Sequence, residues 1–170
     1  YTSSNNNSGL LTATTRPVGN RPFTQAFDPQ ARVAQQEDSF ANRMTIQYNT
    51  AQNGAVITEP GGLTQTFLHD SNLNLIFRSS GASVPSRYAY DAAARLTSTT
   101  NRLASQSFLT YDASGFPAST SDPIARRTAF RYSSTINSGF QVYDLAGLTL
   151  PGDATFAFAR DDRGNLSTLT

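Results

Sequence analysis

The chain has 170 residues, a mass of 18.3 kDa and a formal net charge of +1, a length that usually makes one domain with a sizeable buried core. It has no Cys and a single His, His69; this excludes a disulfide scaffold, a cysteine nucleophile and a zinc site built from Cys and His alone. All 13 basic residues are Arg, and they are scattered rather than clustered. No nucleic-acid footprint results, no apolar run approaches the roughly 18 residues of a membrane-spanning helix, and neither a cofactor nor a metal is expected.

Composition favours strands. Thr, Tyr and Phe number 21, 7 and 11, whereas Glu occurs only as Glu37 and Glu59. β-Branched and aromatic side chains suit a pleated, half-buried surface, and the recurring clusters of Gly, Asn, Asp, Ser and Pro read as turns. Taken in chain order, Asn6-Asn7 is followed 21 residues later by Phe27-Asp28. The same step then gives Tyr48-Asn49, His69-Asp70, Tyr90-Asp91, Tyr111-Asp112 and Tyr132-Ser133. Three residues before the turn-former stand Ile46, Phe67, Tyr88, Leu109 and Phe130. Between the second and third anchors, Pro29–Ala41 is the one stretch with any helical character, and its apolar spacing is weak. After Ser133 the register shifts. Tyr143-Asp144 with Gly147 is an out-of-step copy, the pattern resumes at Phe158 and Asp161 with Gly164, and an insertion is expected over about 137–155.

The columns explain one unit. Residues two apart on a strand share a face, so Phe67/His69, Tyr88/Tyr90, Leu109/Tyr111 and Phe130/Tyr132 make an apolar, aromatic face. The Asx then turns the chain through its own side chain, and Gly three residues on, as at Gly115, Gly147 and Gly164, suits a positive φ. The unit therefore predicts two strands and two turns, with Tyr90, Tyr111 and Tyr132 in register on neighbouring strands and Asp91 and Asp112 in equivalent turns. The repeat-core set is Phe27, Tyr48, Phe67, His69, Tyr88, Tyr90, Tyr111, Phe130, Tyr132 and Phe158; the turn set is Asp28, Asn49, Asp70, Asp91, Asp112, Gly115, Asp161 and Gly164. The fold class is an all-β, antiparallel repeat solenoid or strip over residues 1–170, with units anchored near 7, 28, 49, 70, 91, 112, 133 and 161.

Candidate chemistry is thin. His69 replaces Tyr in a repeat column, and no Ser or Asp motif turns it into a triad. Asp161-Asp162 with Asn165 matches neither an EF-hand loop nor a calcium β-roll and reads as a turn. Asn6-Asn7-Ser8 fits the glycan acceptor pattern. Arg126, Arg127 and Arg131 form the densest basic spot, read as a solvated face or as Arg stacked on Tyr. No catalytic residue is assigned.

Tyr88-Ala89-Tyr90-Asp91-Ala92-Ala93-Ala94-Arg95-Leu96-Thr97 resembles the tyrosine–aspartate (YD) repeat, usually written YxYDxxGRLT. Leu109–Phe116, Phe27–Val33 and Asp161–Ser167 are looser copies. The repeat is found in Rhs proteins, C components of insecticidal toxin complexes, wall-associated proteins and teneurins. The resemblance implies a β-strip that winds into a hollow shell, a structural and non-enzymatic role in containing and delivering a toxin or other polypeptide cargo, and a bacterial, secreted or cell-surface setting. Seven or eight units are too few to enclose anything alone, which implies a segment of a longer or assembled protein whose partners are other YD units or identical chains, edge to edge. An extracellular filament subunit, or an adhesin binding a surface glycan, is the alternative built from the same repeats.

Overall fold

The computed structural model describes residues 2–5, 9–19, 21–137, 139–161 and 164–170. The anchor at Asn7 and the acceptor pattern Asn6–Ser8 lie outside the described residues, as do Asp162 and Arg163. Sixteen strands, all antiparallel, occur among the described residues, each hydrogen-bonded to its neighbours in chain order.

The chain divides into two units, residues 1–87 and 88–170. The first holds β1 (Thr2–Asn5), β2 (Leu11–Thr15), β3 (Phe23–Phe27), β4 (Val33–Asp38), β5 (Arg43–Asn49), β6 (Gly54–Thr58), β7 (Thr64–His69), β8 (Leu75–Ser80) and the start of β9 (Ser86–Tyr90). The second holds the end of β9, then β10 (Leu96–Thr100), β11 (Gln106–Tyr111), β12 (Pro117–Ser121), β13 (Arg127–Asn137), β14 (Phe140–Thr149), β15 (Thr155–Arg160) and β16 (Leu166–Leu169). Pro29–Ala41 contains no helix: it is a turn, strand β4 and a second turn.

Register sorts the side chains onto two faces. In the first unit Ile46 pairs with Ile57, Tyr48 with Ala55 and Ala55 with Phe67, so these residues share one apolar face. Thr45, Thr58 and Thr64 pair in the same way on the other face. In the second unit Phe130 pairs with Leu148 and Leu148 with Phe156 on the aromatic face, against Ser119, Ala129 and Thr149 on the other. The aromatic column occupies every second strand. Tyr90, Tyr111 and Tyr132 lie on β9, β11 and β13, not on neighbouring strands as the repeat predicted, because each 21-residue step spends a whole hairpin.

The expected core is absent. Among the described residues, Ala13 and Ala146 are the buried apolar ones, 6% and 8% exposed, and no large side chain falls below 2%. A sheet buries a face only against a second layer, and every described strand pairs side by side in chain order rather than forming one.

The anchor at Ser133 is a strand residue rather than a turn. β13 runs through it to Asn137, and Ser133 pairs with Asp144. Tyr143 to Gly147 likewise lie inside β14. Gly147 is required there for close approach, not for a positive φ: a Cβ would stand 2.9 Å from the Phe156 carbonyl oxygen. The extra residues of 137–155 lengthen a hairpin to strands of 11 and 10 residues.

Most turns share one geometry: three loop residues, the last in the left-handed region. That last residue is Gly62, Gly115 or Gly164 in three turns, but Ala31, Ala41, Leu73, Ala94, Ala104, Ala125 or Asp153, at φ from 57° to 66°, in seven others. L-residues resist this conformation, at a cost of roughly 1–2 kcal/mol. Leu73→Gly is expected to stabilise the fold by about 0.5–1 kcal/mol and Gly115→Ala to destabilise it by about 1 kcal/mol. Urea titration checks both; a lower midpoint for Leu73→Gly would contradict this account of the turn.

Candidate functional site

The chemistry-bearing residues gather at the turns. Asp91 starts the turn after β9. Its Oδ1 accepts the backbone N–H of Ala93 and of Arg95 (2.9 and 3.0 Å), and its Oδ2 accepts Arg95 Nε at 2.8 Å. Asp28 binds Gln30 N, Arg32 N and Arg32 Nε in the same way. Asp70 and Asp161 replace the guanidinium with the amides of Asn74 and Asn165. Asp112 holds Ser114 N and Phe116 N, with Gly115 in the left-handed position. Asn49 instead caps a short 3₁₀ turn, Thr50–Gln52, by accepting Gln52 N.

A second set of turns at the opposite margin uses the same clasp. Asp38, Asn101 and Asp122 each accept two backbone N–H groups, two and four residues on. Sequence reading missed this column. Its signal is an Asx ten residues after each anchor, followed by Ala at the third loop position (Ala41, Ala104, Ala125), but Glu59 and Ser80 interrupt it.

In four units the residue after the anchor turn reaches the next repeat. Arg95, held by Asp91, lies 4.6 Å from the centroid of the Tyr111 ring, and Tyr111 Oη donates to the Leu96 carbonyl at 2.8 Å. Arg32 repeats this against Tyr48 at 4.0 Å, and Tyr48 Oη donates to the Val33 carbonyl. In the unit of Asp112 the arginine is Phe116, whose ring sits 5.1 Å from Tyr132 and 4.8 Å from Tyr143. His69 takes the tyrosine place against Asn53, whose carbonyl accepts both its backbone N–H and its Nδ1–H. The arrangement joins one repeat to the next by ion pair, cation–π contact and hydrogen bond.

Phe27, Tyr48, Phe67, His69, Tyr88, Tyr90, Tyr111, Phe130, Tyr132 and Phe158 all lie on strands and are half-buried. Of the basic trio, Arg126 pairs with Asp122 at 2.6 Å and Arg131 donates to the Ala146 carbonyl. Among the described residues no three His, Asp or Glu side chains converge on a point, and no helix is long and apolar enough to cross a membrane.

A solved structure shares this fold. The chain is similar to the Tc holotoxin pore of Photorhabdus luminescens, with a TM-score of 0.50 and 15% identity over 86% of this chain and 9% of that one. In fold, the chain is an antiparallel β-strand repeat strip. It is also similar to the TcdB2–TccC3 crystal structure, with a TM-score of 0.43 and 14% identity over 95% of this chain and 12% of that one. The chain thus spans about a tenth of the length of these structures. No protein-family model and no curated protein matches the sequence.

Two expectations follow from the clasp. Tyr111→Ala should cost about 2 kcal/mol, since it removes a half-buried ring, its cation–π partner and one hydrogen bond; chemical denaturation measures this, and Tyr111→Phe should lose only the hydrogen-bond part. The second concerns acid. Hydrogen bonds from Asn42, Asn74 and the Arg126 guanidinium hold Asp38, Asp70 and Asp122 below the ordinary 3.8. The Arg95 backbone amide leads at Asp91, and at Asp28 partial desolvation raises the value but Arg32 and Gln30 more than reverse it. Carboxylates depressed in the fold stabilise it above their unfolded value and lose that contribution as pH falls. The urea midpoint should be flat from about pH 8 to 5 and drop below about pH 4; a midpoint unchanged at about pH 2.5 would refute the clasp.

Proposed function

We propose that this chain is a non-enzymatic structural segment of a YD/Rhs-type β-shell that contains and delivers a polypeptide cargo, a toxin in the first instance. The observation that carries this reading is the fold shared with the Tc holotoxin pore over 86% of the chain, where the same stretch accounts for only 9% of the larger chain. Physical features support it. Among the described residues no large side chain is fully buried, as suits a wall whose stability comes from clasps within the sheet rather than from a core. The Asp–Arg–Tyr contacts tie consecutive repeats, not substrate. The partners on this reading are further YD-repeat units and an enclosed polypeptide, and the setting is secreted or cell-surface in a bacterium.

The test is the native polypeptide that carries this sequence. Its denatured mass should be several times 18.3 kDa, and limited proteolysis should leave one region protected until the repeats are unfolded. A denatured mass near 18.3 kDa, or cargo digested at the same rate in native and unfolded protein, would overturn containment.

A further inference from the structure

One asparagine of the chain, Asn53, is followed directly by glycine. The pair closes the hairpin between β5 and β6, and the fold fixes both residues. Asn53 sits in the left-handed region, at φ 45° and ψ 47°, which Asn tolerates better than most side chains. Its carbonyl accepts the backbone N–H of His69 at 3.1 Å and the ring Nδ1–H at 3.0 Å, and its Nδ2 donates to the Asp70 carbonyl at 3.3 Å. Gly54 is required by close approach. A Cβ there would stand 2.8 Å from the Phe67 carbonyl oxygen and 2.5 Å from Leu68 Cδ2.

This pair is chemically reactive. The backbone nitrogen of Gly54 is a nucleophile toward the side-chain Cγ of Asn53, and no side chain on Gly54 hinders the approach. Attack forms a C–N bond, closes a five-membered imide and expels ammonia, which takes up the proton lost from the Gly54 nitrogen. Water then opens the imide at either carbonyl, leaving aspartate or isoaspartate at position 53. The net change is one amide and one water for one carboxylate and one ammonium ion. Ring closure needs the Gly54 nitrogen on the Cβ side of the Asn53 Cα–C bond. At ψ 47° it points the opposite way, anti to Cβ. Bringing it round swings the peptide group between the two residues, and this pulls the Asn53 carbonyl off both His69 donors. The closed turn therefore holds the reacting atoms apart, although Asn53 itself is exposed.

We propose that Asn53-Gly54 is a self-modification site gated by the fold, silent while the β5–β6 turn is closed and converting to isoaspartate once it opens. Conversion makes the opening irreversible. Isoaspartate carries the chain through its side-chain carbonyl, which adds a methylene to the backbone. Its free carboxylate replaces the amide that donated to Asp70. The added length displaces the carbonyl that binds His69, the link from this repeat to the next. Register here is set at the turns, so one lengthened turn keeps β5, β6 and β7 from pairing as before. The inference rests on the geometry of a single turn and is independent of containment.

Peptide mapping by mass spectrometry, with enzymatic methylation of isoaspartate as a second readout, tests this on the full chain in mildly alkaline buffer with and without denaturing urea. Position 53 should convert at least about tenfold faster in urea, the ratio reporting the free energy of opening the turn. In urea it should also outpace every other asparagine, since each of those precedes a residue with a side chain. Asn53→Gln, read in urea where folding is not at issue, should abolish conversion at that position. The isoaspartate-bearing fraction, returned to buffer, should show a lower urea midpoint than unconverted chain. Equal rates with and without urea, conversion spread evenly over the asparagines, or an isoaspartate-bearing chain with the original midpoint would each overturn the proposal.

Discussion

One side-chain oxygen at the head of most turns, usually a carboxylate, governs this fold. Asp28, Asp91 and their equivalents accept two backbone N–H groups and one side-chain donor, and that single acceptor fixes three things. It closes the hairpin, so the next strand starts in register. It holds the third loop residue in the left-handed region even where that residue is Ala. It also aims the arginine four positions beyond, in Arg32 and Arg95, at the ring of the following repeat. With almost no core to order the strands, register is decided at the turns.

The same constraint explains what the sequence disclosed. Asp and Tyr at a 21-residue interval were legible because the clasp needs an acid and the inter-repeat contact needs a ring, and both recur wherever the geometry recurs. The partner of that ring was not legible. Arg32, Arg95, Asn53 and Phe116 do one structural task with three chemistries, and a column that mixes cation, amide and aromatic shows no pattern. Ser133 misled for the opposite reason: it keeps the interval but lacks the carboxylate, and the chain runs on as strand to Asn137. The length of the chain led to the expectation of a core. Face alternation was readable in Phe67/His69 and Leu109/Tyr111, but whether a second layer meets that face is not a property of one sheet's sequence.

An uncovered sheet reorganises the usual distribution of stability. In a layered domain, a large apolar side chain contributes through burial against the opposite layer. Here the rings are half-buried by lateral neighbours only, and polar contacts carry a larger share: Arg43 to Glu37, Thr110 to Ser119, Gln25 to the Leu11 carbonyl. Such a wall tolerates substitution on its faces better than at its turns.

The strictly sequential strand order has a kinetic meaning. Every strand pairs with the one made just before it, so loop closure never spans more than a hairpin, and the entropic barrier that slows most β proteins is small. A chain of this kind can nucleate at any clasped turn and grow by nearest-neighbour addition. Emerging from a ribosome or a translocation pore, it needs only about 21 residues to complete each next step, and under tension it should yield one hairpin at a time from its ends rather than in a single cooperative break.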